Sequence, residues 1–270
     1  MMGSSHALSG AAVWLTGSLA LSHFGGYQQT SMQLAVGAAV CAGGALLPDL
    51  DLSGRVTTNQ GGAIVARTFG VVSLFVAECV EKLSLGVYNL TRLRKDPDRD
   101  NGHRTLTHTL VFNVALGFGT AALCARFGKP AVIAVLFVAF AMALRGLFEK
   151  WAERAGWLVV TLASLGAAYF VFERLPGGRG YPVLGLAIGV GGLVHVAGDM
   201  LTRHGCPVLW PIPTGRKRLW RCIGLPDRMV VKVGGVMERM VLRTVFATAS
   251  LLSGAFLVVP GILRRFGVDV

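Results

Sequence analysis

The sequence predicts an all-α integral membrane protein, a polytopic helical bundle of about seven transmembrane helices with one more helix at the membrane surface. Three observations carry this expectation. Charged residues make up only 15% of the chain, against about 25% in an ordinary soluble domain. Hydrophobic residues make up 53%, and the mean hydropathy is +0.59. Several apolar runs approach the ~20 residues needed to cross a hydrocarbon core, more than a chain of 270 residues could bury in a soluble interior. The 36 glycines agree, because small residues let membrane helices approach closely.

Seven runs are expected to cross: 7–23, 32–47, 106–127, 131–147, 157–173, 181–201 and 244–263. The first could be mistaken for a signal peptide, but it lacks a basic n-region. Before Arg55 the charged side chains are Asp49 and Asp51, so this run reads as a retained helix. Residues 63–91 are also apolar, yet they contain Arg67, Glu78, Glu81 and Lys82. That pattern suits an interfacial or re-entrant helix. With no internal repeat or low-complexity tract, residues 1–270 read as one domain.

Net charge is +12, and Lys and Arg concentrate in two segments, 92–104 and 203–243. In a membrane protein such an excess marks the cytoplasmic side, and nucleic-acid binding is not the first inference. The run Gly215-Arg216-Lys217-Arg218-Leu219-Trp220-Arg221 reads as an anchor for lipid headgroups, with Trp220 at the interface. The five cysteines are odd in number and form no C-x-x-C pair, which argues against a disulfide framework or cysteine-rich zinc site. Cys41 and Cys124 read as small core residues. Cys206 is a remote candidate ligand.

A few polar side chains interrupt the apolar background, all at the ends of runs. His6 opens the first. The second closes on Pro48-Asp49-Leu50-Asp51. His103-Arg104-Thr105-Leu106-Thr107-His108 precedes the fourth, and His195-Val196-Ala197-Gly198-Asp199 closes the run 181–201. Ionisable groups at membrane depth are expensive and suggest function. His195 and Asp199 are four apart and share one helical face, with Thr202 on that face too. Pro48 disfavours a helix at Leu47, so Asp49 and Asp51 are expected in an extended segment, pointing the same way. His103 and His108 lie about 140° apart on a continuous helix. Thr105 is therefore expected to cap the helix, with His103 reaching in from the loop.

Each residue alone has a plainer reading: an interfacial histidine, a capping aspartate, a buried pair without metal. Topology weighs against all of these together. If the run 7–23 leaves one side and 32–47 returns, Asp49 and Asp51 share the side of His6. The later pairs of crossings bring His103, His108, His195 and Asp199 to that side as well, provided 63–91 does not cross. The basic loops lie there too, so that side is the cytoplasm. Asp96-Pro97-Asp98-Arg99-Asp100 imitates the start of an EF-hand, but Asn101 and Thr107 stand where Gly and Glu are required. It reads as a solvated loop. His23 falls on the opposite side, and His204 next to the site segment.

These motifs, followed by Gly205 and Leu209-Trp210-Pro211, resemble the YdjM family of bacterial inner-membrane proteins. That family is described as membrane-bound metal-dependent hydrolases, some induced in the SOS response. The resemblance spans roughly residues 6–211. It departs at Leu52 and Thr105, where family members often carry His and Gly. More distantly the pattern is similar to the zinc-dependent phospholipase C and single-strand nuclease superfamily. The resemblance implies phosphoester hydrolysis in the bacterial inner membrane.

Imidazoles and carboxylates without thiolate suit zinc, and also manganese or iron. The expected ligands are His6, Asp49, His103, His108, His195 and Asp199. Asp51 is either a further ligand or the base that orients water. Arg104 is expected to clamp a phosphate oxygen, and Thr202 to support the site from the helix end. A site at membrane-surface depth favours a lipid or another amphiphilic phosphoester, with membrane lipids as partners and nucleic acid a weaker candidate. Two other classes stay open: a metal transporter, and a noncatalytic membrane factor. Substrate, metal count and oligomeric state are not legible.

Overall fold

The computed structural model describes residues 1–52, 68–175, 182–214 and 218–259. Eight α-helices and a few single turns account for its regular structure. Among the described residues there is no strand, only the isolated bridges Cys206–Ile223 and Thr214–Arg218.

Helix α1 (Gly3–Gly25) stops at Gly26, whose φ of 63° supplies the left-handed cap. Helix α2 (Ser31–Gly44) starts at a capping box, in which the Thr30 hydroxyl and the Gln33 side chain each accept the other residue's amide. A 3₁₀ turn, Pro48–Asp51, follows α2, with proline in the first turn where its missing N–H costs nothing. Helix α3 is Val71–Thr91. Helices α4 (Leu110–Phe127) and α5 (Lys129–Leu147) are joined by Gly128 alone. Helix α6 (Glu149–Arg174) is interrupted at Gly156, where φ is 79° and ψ is 166°. Helix α7 is Pro182–Met200, and α8 (Arg243–Val258) continues from a π-turn at Met237–Leu242.

Among the described residues, six stretches are long and apolar enough to cross a membrane: Ser31–Asp51, α4, α5, α6, α7 and Met237–Val258. They correspond to six of the seven expected runs. The seventh, α1, has 23 residues, or about 34 Å of helix. It is less apolar, being rich in Ser and Gly, and it packs among α2, α5, α7 and α8. Burial sorts the bundle. The α2 stretch, α5 and α7 are 67%, 56% and 61% buried, whereas α4 and α6 are each 17% buried and the α8 stretch 6%. The first three are the centre, and the others present their apolar faces outward.

The run 157–173 forms the longer part of α6, beyond Gly156, and 244–263 forms α8 up to Val258; residues 260–263 of that run lie outside the described part. Helix α3 buries Ser73, Ala77, Ser84 and Tyr88, a spacing that places them on one face. It packs on the turns at 48–51 and 106–108. Its other side exposes Val71, Val72, Phe75, Leu83 and Leu90.

Two local expectations are corrected. Asp49 and Asp51 lie in the 3₁₀ turn, not in an extended segment, because Pro48 is tolerated at a helix start. Trp220 is not an interfacial anchor. It is 3% exposed, stacks on Trp210 with ring centroids 4.9 Å apart, and donates its indole N–H to the Thr91 hydroxyl at 3.1 Å. Asp96 joins the same junction by accepting the amides of Leu93, Leu219 and Trp220. The aspartate-rich loop thus serves as a clasp between the two basic segments. Arg216 and Lys217 lie outside the described residues.

Candidate metal centre

Five parts of the chain converge at one end of the bundle. The first turn of α1 brings His6, and the turn after α2 brings Asp49 and Asp51. The loop before α4 brings His103 and Arg104, the 3₁₀ turn Leu106–His108 brings His108, and the last turns of α7 bring His195 and Asp199. His6, Asp51, His108 and His195 have no exposed surface; Asp49 and Asp199 have 5% and 2%. Burying three carboxylates and three imidazoles in so small a space is costly unless they are paired or hold a cation.

The turn that delivers His108 was placed differently from sequence. The hydroxyl of Thr109, not Thr105, caps α4 by accepting the Phe112 amide at 3.1 Å. Thr105 instead donates to the Gly102 carbonyl. The helix therefore starts at Leu110, and His108 sits on a separate turn that aims it inward. His103 does reach in from the loop. Its Nδ1 lies 2.8 Å from Asp51 Oδ1, so these two residues meet at the same end of the bundle.

Among the described residues, two donor groups are close enough to hold an ion: Asp49, Asp51, His103 and His108 in one, His6, His195 and Asp199 in the other. They touch. His108 Nε2 and His195 Nε2 are 3.2 Å apart, and Asp49 Oδ1 is 3.8 Å from the first and 3.6 Å from the second. His6 stacks on His195 with centroids 3.8 Å apart and planes at 18°. Its Nε2 is 3.3 Å from Asp199 Oδ1, yet among the described residues neither ring nitrogen has an aligned hydrogen-bond partner. Buried imidazole nitrogens left unpartnered suit a ligand position.

Asp51 is the hub of the contacts behind the ring of His108. Its oxygens receive His103 Nδ1, the Arg104 amide at 3.1 Å and the Thr107 hydroxyl at 2.6 Å, and Oδ2 is 3.2 Å from His108 Nδ1. Burial works against the charged form of His103. The Asp51 carboxylate, its hydrogen bond and Asp49 outweigh that, so the pKa of His103 rises above its ordinary value.

Arg104 holds a left-handed φ of 54°, a strained choice for a residue with a side chain, and its amide bond to Asp51 fixes it there. Its guanidinium pairs with Asp199 Oδ2 at 2.7 Å and donates to the Thr202 hydroxyl and the Gly205 carbonyl. Thr202 in turn donates to the Asp199 carbonyl at 2.7 Å, at the end of α7. The Met1 amino group is 2.5 Å from Asp199 Oδ1.

Other sequence candidates lie apart. Cys206 is buried, and burial pushes its thiol well above the ordinary range, so it remains a neutral, poor ligand. His204 and His23 are exposed. Sequence reading did not single out the Ala45 carbonyl, which accepts from His195 Nδ1 at 2.7 Å. A backbone acceptor leaves no trace in residue type.

Each described donor is a nitrogen or a carboxylate oxygen, and the set fits a divalent transition metal. No similar curated protein and no similar solved structure was found. A family model described as YdjM inner membrane protein matches residues 1–265, and with nearly the whole chain covered, this multi-pass membrane protein belongs to that family.

Proposed function

We propose that this chain is a membrane-bound, metal-dependent hydrolase that cleaves a phosphoester of a lipid or another amphiphilic substrate at the cytoplasmic membrane surface. One observation carries the reading: buried imidazoles and carboxylates from both halves of the chain meet at helix ends. A transporter would place such groups near the bilayer midplane on broken helices.

The donor pool is His6, Asp49, His103, His108, His195 and Asp199, and zinc is the favoured ion, with manganese or iron admitted. A bound ion supplies Lewis acidity and lowers the pKa of a coordinated water toward neutrality. The chain's own residues do the rest. Asp51 orients the histidines. Arg104 is held by its ion pair with Asp199 and by hydrogen bonds to Thr202 and the Gly205 carbonyl, and its guanidinium is the group assigned to an anionic oxygen of the substrate. Thr202 secures the end of α7 beneath it. The basic segments 92–104 and 203–243 support a cytoplasmic orientation for this end of the bundle, and the charges on α3 support its lying along the membrane.

The test is hydrolysis by detergent-solubilised protein of phospholipids, lipid-linked phosphates and short single-stranded DNA. Activity is expected on a lipid phosphoester, lost on chelation and restored by zinc, and absent from the His195→Ala/Asp199→Ala double variant. Chelation-insensitive cleavage, or transport of metal into proteoliposomes without cleavage, would overturn the reading.

A further inference from the structure

The converging donors are not equivalent, and the difference lies in which atoms already carry a proton or a partner. His195 Nδ1 is 2.7 Å from the Ala45 carbonyl. A carbonyl only accepts, so Nδ1 bears the hydrogen and Nε2 of the neutral ring is a bare lone pair. For His108 the proton is placed through a hydroxyl. Thr107 donates its hydrogen to Asp51 Oδ2 at 2.6 Å, so toward His108 Nδ1, 2.9 Å away, its oxygen accepts. Hence His108 Nδ1 bears a hydrogen, and its Nε2 is bare as well.

These two nitrogens face each other at 3.2 Å. Asp49 Oδ1 closes the triangle at 3.8 and 3.6 Å. Asp49 is 5% exposed, and these two nitrogens are the groups its ion-pair contacts reach. Three electron-rich atoms aimed at one another in a buried space repel unless a cation lies among them. Two nitrogens bound about 2.0–2.1 Å from one tetrahedral zinc stand roughly 3.3 Å apart. The observed pair matches that spacing.

Asp199 is different. Its Oδ2 is 3.7 and 3.9 Å from the two nitrogens, but it already receives the Arg104 guanidinium at 2.7 Å. Its other oxygen is 3.3 Å from His6 Nε2. We infer that the principal ion would be held by Asp49, His108 and His195, while Asp199, already paired with Arg104, lies beside them and does not ligate. Asp51 and the Ala45 carbonyl are positioning groups that fix the two imidazoles from behind, as outer partners of metal ligands do. The assignment rests on the metal-binding part of the proposed function and is independent of its hydrolytic part.

The test uses the full chain in detergent, loaded with cobalt(II) and titrated against zinc. Asp49→Asn and His108→Ala should each lower affinity by at least about 100-fold, and Asp51→Asn by about 10–100-fold. Asp199→Asn should stay within about 10-fold of wild type with its cobalt d–d spectrum kept. Cysteine replacements guard against a folding artefact. Asp49→Cys should add a thiolate-to-cobalt charge-transfer band and Asp199→Cys should not, since only a direct ligand produces it. The reverse pattern, or Asp199→Asn losing the ion as completely as Asp49→Asn, overturns the assignment. A wild type that takes no ion, its two imidazoles sharing a proton instead, ends both this inference and the hydrolase reading. Binding as assigned with no substrate turned over supports this inference and ends only the hydrolytic reading.

Discussion

Gly191 in α7 lies so close to α2 that a Cβ there would stand 2.7 Å from the Ala45 amide nitrogen. One turn further along α7, His195 donates to the carbonyl of that same Ala45. Helix contact and ligand orientation are thus one feature. Gly191→Ala should force the helices apart, at a cost of about 1–3 kcal/mol, and lower metal occupancy with it. Gly166→Ala, where a Cβ meets nothing within 4 Å, is the control. Thermal unfolding and bound zinc measured on both variants decide the matter; equal behaviour would sever the link.

A pH dependence follows from His103. Its folded-state pKa is raised, so the ion pair with Asp51 adds stability that is fully present below the unfolded value, about 6.5. That stability is lost as pH rises through the higher folded value. Chelator-treated protein should therefore unfold at lower temperature as pH increases above neutrality. His103→Gln should flatten this slope. A slope unchanged in the variant would exclude His103 as its source.

Topology tests the placement of the site. Labelling of single cysteines at Thr58 and Lys95, in a background without native cysteines, is expected from the cytoplasmic side for both. His103 contacts Asp51, so these two residues belong at one end of the bundle. Labelling from opposite sides would contradict that contact; labelling of both from outside would keep the site but reverse its orientation.

Much of this protein was legible in its residues. The apolar runs identify the membrane helices because crossing a hydrocarbon core needs length and apolarity, both local properties. The candidate donors were legible for the complementary reason: His6, Asp49, His103, His108, His195 and Asp199 are costly where they stand, at the ends of such runs. The start of α4 was not. Thr105 and Thr109 are equally good caps, and only the contacts of the preceding turn select Thr109. Nor could Asp49 be told from Asp51, two residues apart in one turn. The first faces bare ring nitrogens and the second collects N–H and O–H donors. That division depends on how the end of α7 and the turn before α4 pack against the end of α2. The sequence by itself determined which donors stand at the ends of the apolar runs; tertiary packing decided which atoms carry the protons, because the His195 tautomer is set by the distant Ala45 carbonyl and that of His108 by Thr107, whose own hydrogen goes to the distant Asp51.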